Sequence, residues 1–244
     1  MKKFFSLAAI AFAVLAMASC EKKDGDEGAT EAVAKRIKTF SLVGEGWADV
    51  YQYTYDESGK LTKVFREEEK QWSFTYNGNE VTVKNAAGAT AYTLTLNADG
   101  YCEKMVDEWG DERTYAYNSK GQINEIKKNG TVVSTLSIED GCIVTWTRTK
   151  DGELQTKIHT YMSTKNIGSI HNIRSEATDP EQWLYEAGFF GKGTTYLCSS
   201  SQWQHSDAKA SYTYEFDEDG YVTKEFKDYP DWPETFEYSW EVVK

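Results

Sequence analysis

A repeated β-hairpin pattern is the feature that most constrains the fold of this chain. Each unit has an alternating aromatic strand, a short turn with Asp or Asn and Gly, and a second strand. Examples are YTYDESGKLTKV from Tyr53 and YAYNSKGQINEI from Tyr115. The first turn residue recurs at spacings of 21, 20, 21 and 21 residues, at Asp56, Asn77, Asn97, Asn118 and Glu139. A fixed period of this kind indicates an array of equivalent supersecondary units.

The turn residues predict the type of each hairpin. An Asp or Asn followed by Gly three positions later favours a type I turn with a G1 bulge, because Gly accepts the positive φ. This spacing places the glycines at Gly59, Gly100, Gly121 and Gly220. Asn77 and Gly78 are adjacent, which favours a two-residue turn instead.

Alternation within the strands predicts which face is buried. In the strand before Asn77, the side chains of Trp72, Phe74 and Tyr76 share one face. Consecutive hairpins form a meander, and a chain with only three prolines has few residues that break strands. We therefore predict an all-β fold, an antiparallel meander of about 15 to 17 strands that forms a closed or flattened barrel with hidden edges.

The same strands argue against a barrel inserted in a membrane. Spanning strands need about 9–11 residues with an apolar outer face. The return strands are short and carry Lys63, Lys104, Lys127 and Lys224. We therefore expect the aromatic face to point into the barrel.

One segment, between Asn166 and Gln204, breaks the repeat. Asp179 is a good N-cap and Pro180 suits the first helical position, so one short helix is predicted near residues 180–187, ending at Gly188. A helix of about two turns is not stable alone. We expect its apolar side, with Trp183, to pack in the mouth or lumen of the barrel.

The first residues predict the cellular location. Residues 1–19 combine two lysines with a 14-residue apolar run, which is typical of a secretory signal. The following Met-Ala-Ser-Cys sequence resembles a lipobox, so we expect Cys20 to become the lipidated first residue and to attach the protein to the membrane. The alternative is an ordinary cleaved signal with an incidental cysteine.

Residues 20–34 are charged and small, which favours a flexible acidic tether to a single domain at residues 35–244. The acidic cluster after Cys20 resembles the export tag of surface lipoproteins in Bacteroidetes. An outer-membrane lipoprotein exposed at the cell surface is therefore expected, with a periplasm-facing lipoprotein as the alternative.

Charge and histidine content limit the function. The formal net charge is −12, and removal of Lys2 and Lys3 with the leader gives 25 − 39 = −14, so nucleic acid is not an expected partner. The chain has three histidines and no H-E-x-x-H, G-x-S-x-G or C-x-x-C spacing. We expect no enzymatic activity, no cofactor and no metal site. The acidic sequence from Asp217 to Gly220 resembles a calcium loop only weakly and makes a good turn.

The connections opposite the predicted turns carry the candidate ligand-binding residues. We expect all the Asp/Asn-Gly turns at one end of the sheet and the variable connections at the other. Three of these connections place a tryptophan beside acids or amides, which suits stacking on a sugar and hydrogen bonding to its hydroxyls. The candidates are Trp109, Trp203, Trp232, Asp107, Asp111 and Asp231. The alternative is that each indole folds back onto its own hairpin.

Two functions follow from these features. The first is a lipid-anchored, non-catalytic accessory or binding protein that takes an extracellular glycan or small ligand. The second is a structural envelope protein that binds a partner protein. The sequence leaves the oligomeric state open.

Cysteine spacing predicts free thiols. Cys102 and Cys142 each follow a hairpin turn, and the two turns are two repeats apart. Two repeats of a meander are four strands, so the cysteines should lie about 19 Å apart. A disulfide needs Cα atoms within about 7 Å. Cys198 could meet either one, and we favour three reduced, buried thiols.

Residues 36–244 resemble a Bacteroidales family of secreted lipoproteins of unknown function. The resemblance rests on the hairpin repeats, on EAGFFGKGTTYL at residues 186–197 and on YTYEFDEDGYVTK at residues 212–224. It implies a porin-like β fold and no known activity. His171, Asn172 and Ile173 depart from the more apolar stretch expected there. The repeats also resemble, less closely, the tyrosine-aspartate repeats of large bacterial toxin shells.

Overall fold

The structure, a computed structural model, describes residues 33–66, 70–171, 182–230 and 233–243. Within them lie sixteen strands and one short helix, α1, at Gln182–Glu186. The strands are β1 Lys35–Gly44, β2 Trp47–Tyr55, β3 Leu61–Arg66, β4 Lys70–Asn77, β5 Glu80–Asn85, β6 Thr90–Leu96, β7 Cys102–Asp107, β8 Glu112–Tyr117, β9 Ile123–Lys128, β10 Thr131–Glu139, β11 Cys142–Lys150, β12 Glu153–Lys165, β13 Tyr196–Trp203, β14 Lys209–Phe216, β15 Val222–Asp228 and β16 Glu234–Val242.

The sixteen strands form a closed antiparallel barrel in which each strand pairs with its neighbours in the chain. The barrel is closed by β1 and β16, where Phe40 lies opposite Tyr238. Closure leaves no strand edge in this sheet without a partner. The predicted all-β meander is confirmed, and it forms a closed barrel rather than a flattened sandwich.

The hairpin turns have the predicted geometry. At the β2–β3 turn, the Asp56 carboxylate accepts hydrogen bonds from the backbone N–H groups of Ser58 and Lys60, at 2.9 and 3.0 Å. Gly59 has a φ of 85°, and the strand register shifts between Thr54 and Tyr55, as a G1 bulge requires. The hydrogen bond from the Ser58 side chain lowers the pKa of Asp56. These local bonds fix the register of each hairpin.

The same turn occurs at both ends of the barrel, so the expected confinement to one end is wrong. Asp107 accepts hydrogen bonds from the backbone of Trp109 and Asp111 at 3.0 and 2.9 Å, and Gly110 has a φ of 85°. Asn85 makes an equivalent turn between β5 and β6. The physical reason is that this turn needs only an Asp or Asn with Gly three residues later, and Asp107 and Gly110 have that spacing.

The connection between β12 and β13 fills one end of the barrel. Trp183 of α1 is fully buried, with its ring centroid 4.5 Å from that of Trp72. The Tyr53 hydroxyl donates a 3.0 Å hydrogen bond to the Trp183 carbonyl. The predicted short helix and its burial against the inward aromatic face are both confirmed. No helix among the described residues is long and apolar enough to cross a bilayer.

Backbone hydrogen bonds connect the chain after the helix to the hairpin turns at the same end of the barrel. The backbone N–H of Cys102 donates to the Phe189 carbonyl at 2.7 Å, and that of Lys192 donates to the Gly121 carbonyl at 2.8 Å. A side chain at Gly191 would place its Cβ 2.2 Å from the same Gly121 carbonyl, so this contact requires glycine. We call residues 182–190 the plug and this end of the barrel the helix end. The opposite end, which carries the β11–β12 and β13–β14 connections, is the cavity end.

Polar side chains cover much of the outer wall. Cross-strand ion pairs join Lys104 of β7 to Glu112 of β8 at 2.6 Å, and Lys224 of β15 to Glu237 of β16 at 2.9 Å. These residues alternate with inward side chains such as Met105 of the apolar core. The aromatic and aliphatic face therefore points inward, as predicted.

The three cysteines of the barrel are free and buried. Cys102 lies on β7 and Cys142 on β11, four strands apart, so the prediction that they are not bonded to each other is confirmed. Burial raises the pKa of Cys102 far above its usual value and that of Cys198 to about 12. Both thiols are therefore protonated at neutral pH.

Candidate functional site

A cavity of about 400 Å³ lies at the cavity end of the barrel, and its volume is typical of a small-ligand site. Cations and aromatic rings make up most of its lining. The lining residues are Arg148, Lys150, Lys157, Trp203, Lys227, Tyr229 and Glu234. The cavity is separate from the plug, which occupies the helix end.

Strand pairing brings the central residues of this cavity together. Lys157 of β12 lies directly between Trp146 of β11 and Trp203 of β13. Because side chains alternate along a strand, Arg148 projects on the same side as Trp146. The next residue pair on this face is Arg148 with Gln155, and Arg148 Nε donates a 3.0 Å hydrogen bond to Gln155 Oε1. This bond orients the guanidinium.

The cations lie against the two indoles. The guanidinium carbon of Arg148 is 4.4 Å from the ring centroid of Trp203 and 5.2 Å from that of Trp146. Lys157 Nζ is 5.1 Å from the Trp203 centroid. The two indole centroids are 5.2 Å apart. Cation–π attraction therefore fixes these rings and cations in one cluster.

Trp203 also borders a second cavity of about 360 Å³. This second cavity shares Arg148 and Lys150 with the first, and its other lining residues include Gln155 and His205. A ligand at this end of the barrel can therefore contact the indole and the two shared cations together.

The two predicted tryptophans that the structure describes, Trp109 and Trp203, do not share a cavity. Trp203 lies in the cluster, whereas Trp109 stands on the β7–β8 turn with 80% of its surface exposed and lines neither cavity. The strands β8 and β13 are five strands apart, or about 24 Å along the sheet. Trp232 and Asp231 lie outside the described residues.

The predicted carboxylates near Trp109 are held by protein partners. Asp107 is 8% exposed, and Arg113 Nη1 donates to its Oδ2 at 2.9 Å. Asp111 accepts from Lys128 Nζ at 2.8 Å and from Asn129 Nδ2 at 3.0 Å. The hydrogen bond from Lys128 holds the pKa of Asp111 below its usual value. Both carboxylates therefore support the local structure of the hairpin.

The acidic turn at Asp217 has the same structural character. Lys35 Nζ forms ion pairs with both Asp217 and Asp219, and the Asp217 carboxylate also accepts from the Tyr221 N–H at 2.9 Å. Over the described parts of the chain, no group of three or more His, Cys, Asp or Glu side chains is arranged to hold a metal ion.

The cations that line the first cavity were not among the residues predicted from the sequence: Arg148, Lys150, Lys157 and Lys227. A signal was present in TWTRTK, where Trp146, Arg148 and Lys150 alternate on one face of a single strand. Interpreting that face as inward required the strand order, because charged side chains on a barrel strand usually face solvent.

Comparison with known proteins agrees with the barrel fold. The family model of a domain of unknown function (DUF4595) with porin-like fold matches residues 53–224. A porin-like protein from Bacteroides uniformis ATCC 8492 has 20% identity and a TM-score of 0.68, covering 84% of this chain and 98% of its own. A porin-like protein from Bacteroides vulgatus ATCC 8482 has 12% identity and a TM-score of 0.54, covering 86% and 100%. No curated protein matches this chain.

Proposed function

The chain belongs to the DUF4595 family, domains of unknown function with a porin-like fold, and we propose a specific role for it. The protein is a lipid-anchored, non-catalytic component of the cell envelope that binds a glycan-like ligand at the cavity end of the barrel. The observation that carries this proposal is the position of Trp203, an indole on the border of two cavities large enough for a sugar ring.

The anchor rests on the lipobox-like sequence that ends at Cys20 and on the acidic residues after it, such as Asp24 and Asp26. These features favour an outer-membrane lipoprotein displayed at the cell surface. The ion pairs on the outer wall, including Lys104 with Glu112, support a barrel that lies outside the bilayer. Charged side chains on a lipid-facing wall would destabilise an inserted barrel.

Replacement of Cys20 is expected to release the protein from the membrane. The Cys20→Ser variant loses the acylated thiol, so it should move to the soluble fraction and lack the mass of the lipid. Fractionation and intact-mass measurement test this, with Ser19→Ala as the control that keeps the cysteine. Protease treatment of intact cells distinguishes surface display from a periplasm-facing anchor. An unchanged distribution and mass for Cys20→Ser would contradict the anchor.

Replacement of Trp203 is expected to weaken glycan binding. The Trp203→Leu variant keeps an apolar side chain beside Trp146 and removes the indole face on which a sugar stacks. The full chain, purified in neutral detergent, is screened on a glycan array, and the strongest hits are measured by calorimetry. We expect Kd to rise at least about tenfold in Trp203→Leu, equivalent to about 1.4 kcal/mol.

Trp109→Leu is the matched control, because this indole is exposed and lines neither cavity. It is expected to change the glycan Kd less than about twofold. Equal losses in both variants would contradict a site at Trp203. A chain that binds no glycan on the array would favour the alternative role, a structural envelope protein that meets a partner protein.

A further inference from the structure

We propose that the ligand of the cavity end is anionic, and specifically an acidic glycan that carries carboxylate or sulfate groups. This inference rests on the proposed glycan-binding function and adds the chemical class of the glycan. The cluster of Trp203 with Arg148 and Lys157, together with Lys150 in the same cavity lining, carries it.

The charge of the cavity opposes the charge of the chain. The protein has a formal net charge of −12, yet the first cavity is lined by four cations and one carboxylate. That carboxylate, Glu234, is bonded to Lys227 at 2.5 Å. Glu225 lies on β15 two residues before Lys227, hence on the same face of the strand, and its side chain is fully buried. The four cations still outnumber Glu234, Glu225 and Glu153 of the second cavity. The lining therefore has a net positive charge that attracts anions against the overall field of the protein.

The geometry of the cations fits carboxylate or sulfate recognition beside a sugar ring. Arg148 presents a planar guanidinium, which can meet two oxygens of one acidic group at once. Its bond to Gln155 and its position 4.4 Å from the Trp203 centroid hold it in place before a ligand arrives. Lys157 of β12 lies directly opposite Trp203 of β13 and is 92% buried. An ion pair between Lys157 and an acidic ligand would therefore be screened less by salt than a pair at the surface.

A neutral sugar would use only part of this site. Stacking on Trp203 needs no positive charge, and cations that contact only hydroxyl groups gain little from their charge. An acidic sugar places its ring and its charged group in contact with both parts of the cluster. The nature of the lining therefore favours acidic over neutral glycans.

The test compares acidic oligosaccharides with neutral forms of the same backbone. The full chain in neutral detergent is titrated with oligogalacturonate and with its neutral form, the fully methyl-esterified oligomer. It is also titrated with chondroitin sulfate and with its neutral form, desulfated and carboxyl-esterified chondroitin. Alginate oligomers are a further acidic ligand. We expect at least one acidic oligomer to bind about tenfold or more tightly than its neutral form, and this preference to shrink as NaCl rises.

Variants assign the preference to the cluster. Arg148→Gln and Lys150→Gln should each reduce the preference severalfold while the melting temperature shows that the fold is kept. Lys84→Gln removes an equal charge from an exposed position on β5 and should leave the preference unchanged. Equal loss in Lys84→Gln, or no acidic preference with any pair, overturns the inference.

The two proposals fail differently. Neutral and acidic oligomers that bind equally, with loss in Trp203→Leu, would overturn the anionic class and keep the glycan function. Acetate, sulfate or phosphate binding as tightly as the oligomers, with no loss in Trp203→Leu, would support an anion site and overturn the glycan function. Absence of binding by every acidic oligomer overturns the inference.

Discussion

Replacement of Trp183 by alanine is expected to lower the free energy of unfolding by about 3–5 kcal/mol. The side chain is fully buried, with its ring 4.5 Å from Trp72 and edge-on to Phe74 at 6.1 Å. Alanine would leave a cavity that the closed wall cannot collapse to fill, because each strand is bonded to two neighbours. Urea unfolding followed by circular dichroism measures the change.

Two comparisons make the Trp183 result specific. Trp109→Ala removes the same side chain from an exposed turn and should stay within about 0.5 kcal/mol of the unaltered protein. Tyr53→Phe removes the hydroxyl that bonds to the Trp183 carbonyl, and should cost about 1–3 kcal/mol because a buried carbonyl loses its donor. Similar stability of Trp183→Ala and Trp109→Ala would show that the plug does not support the barrel.

The local parts of this fold could be predicted from the sequence because local chemistry decides them. Asp56 and Gly59 determine their turn by bonds within five residues. Alternation assigns Trp72 and Phe74 to one face before any strand pairing is known. Likewise, a helix of two turns had to pack on an apolar surface, and the burial of Trp183 follows.

The site could be predicted only in part, because it depends on contacts between distant strands. Acids and amides near Trp203 in sequence predict a binding role, but its contacts in space include Arg148 and Lys157 on other strands. Which face of β11 points inward follows from the closed order of sixteen strands, and no single hairpin determines that order.

Asp107 shows how a local signal was misinterpreted. Its connection, DEWGDE, falls at the end of the sheet where the repeat predicts variable connections rather than Asp/Asn-Gly turns. Yet Asp107 and Gly110 have the same spacing as Asp56 and Gly59, and they form the same turn. The spacing of Asp and Gly was the stronger signal, since it decides the backbone conformation.

This reassignment of Asp107 predicts a large loss of stability on its replacement. Asp107→Ala removes the acceptor of the Trp109 and Asp111 N–H groups and the carboxylate partner of Arg113, which is 5% exposed. Removing one partner of a buried ion pair lowers the free energy of unfolding by about 3–5 kcal/mol, because the other charge stays buried without that partner. Urea unfolding of Asp107→Ala is expected to show a loss of this size.

Three variants separate the turn, the ion pair and ligand binding. Asp107→Asn keeps an oxygen for the turn and loses the charge, so its stability should lie between those of the unaltered protein and Asp107→Ala. Asp111→Asn changes the solvent-exposed ion pair between Asp111 and Lys128, and it should leave the urea midpoint nearly unchanged. Arg113→Met in the Asp107→Asn background removes the buried charge and should recover part of the loss. If instead Asp107→Ala is as stable as the unaltered protein but loses glycan binding, Asp107 is a ligand-binding residue and the structural role is wrong.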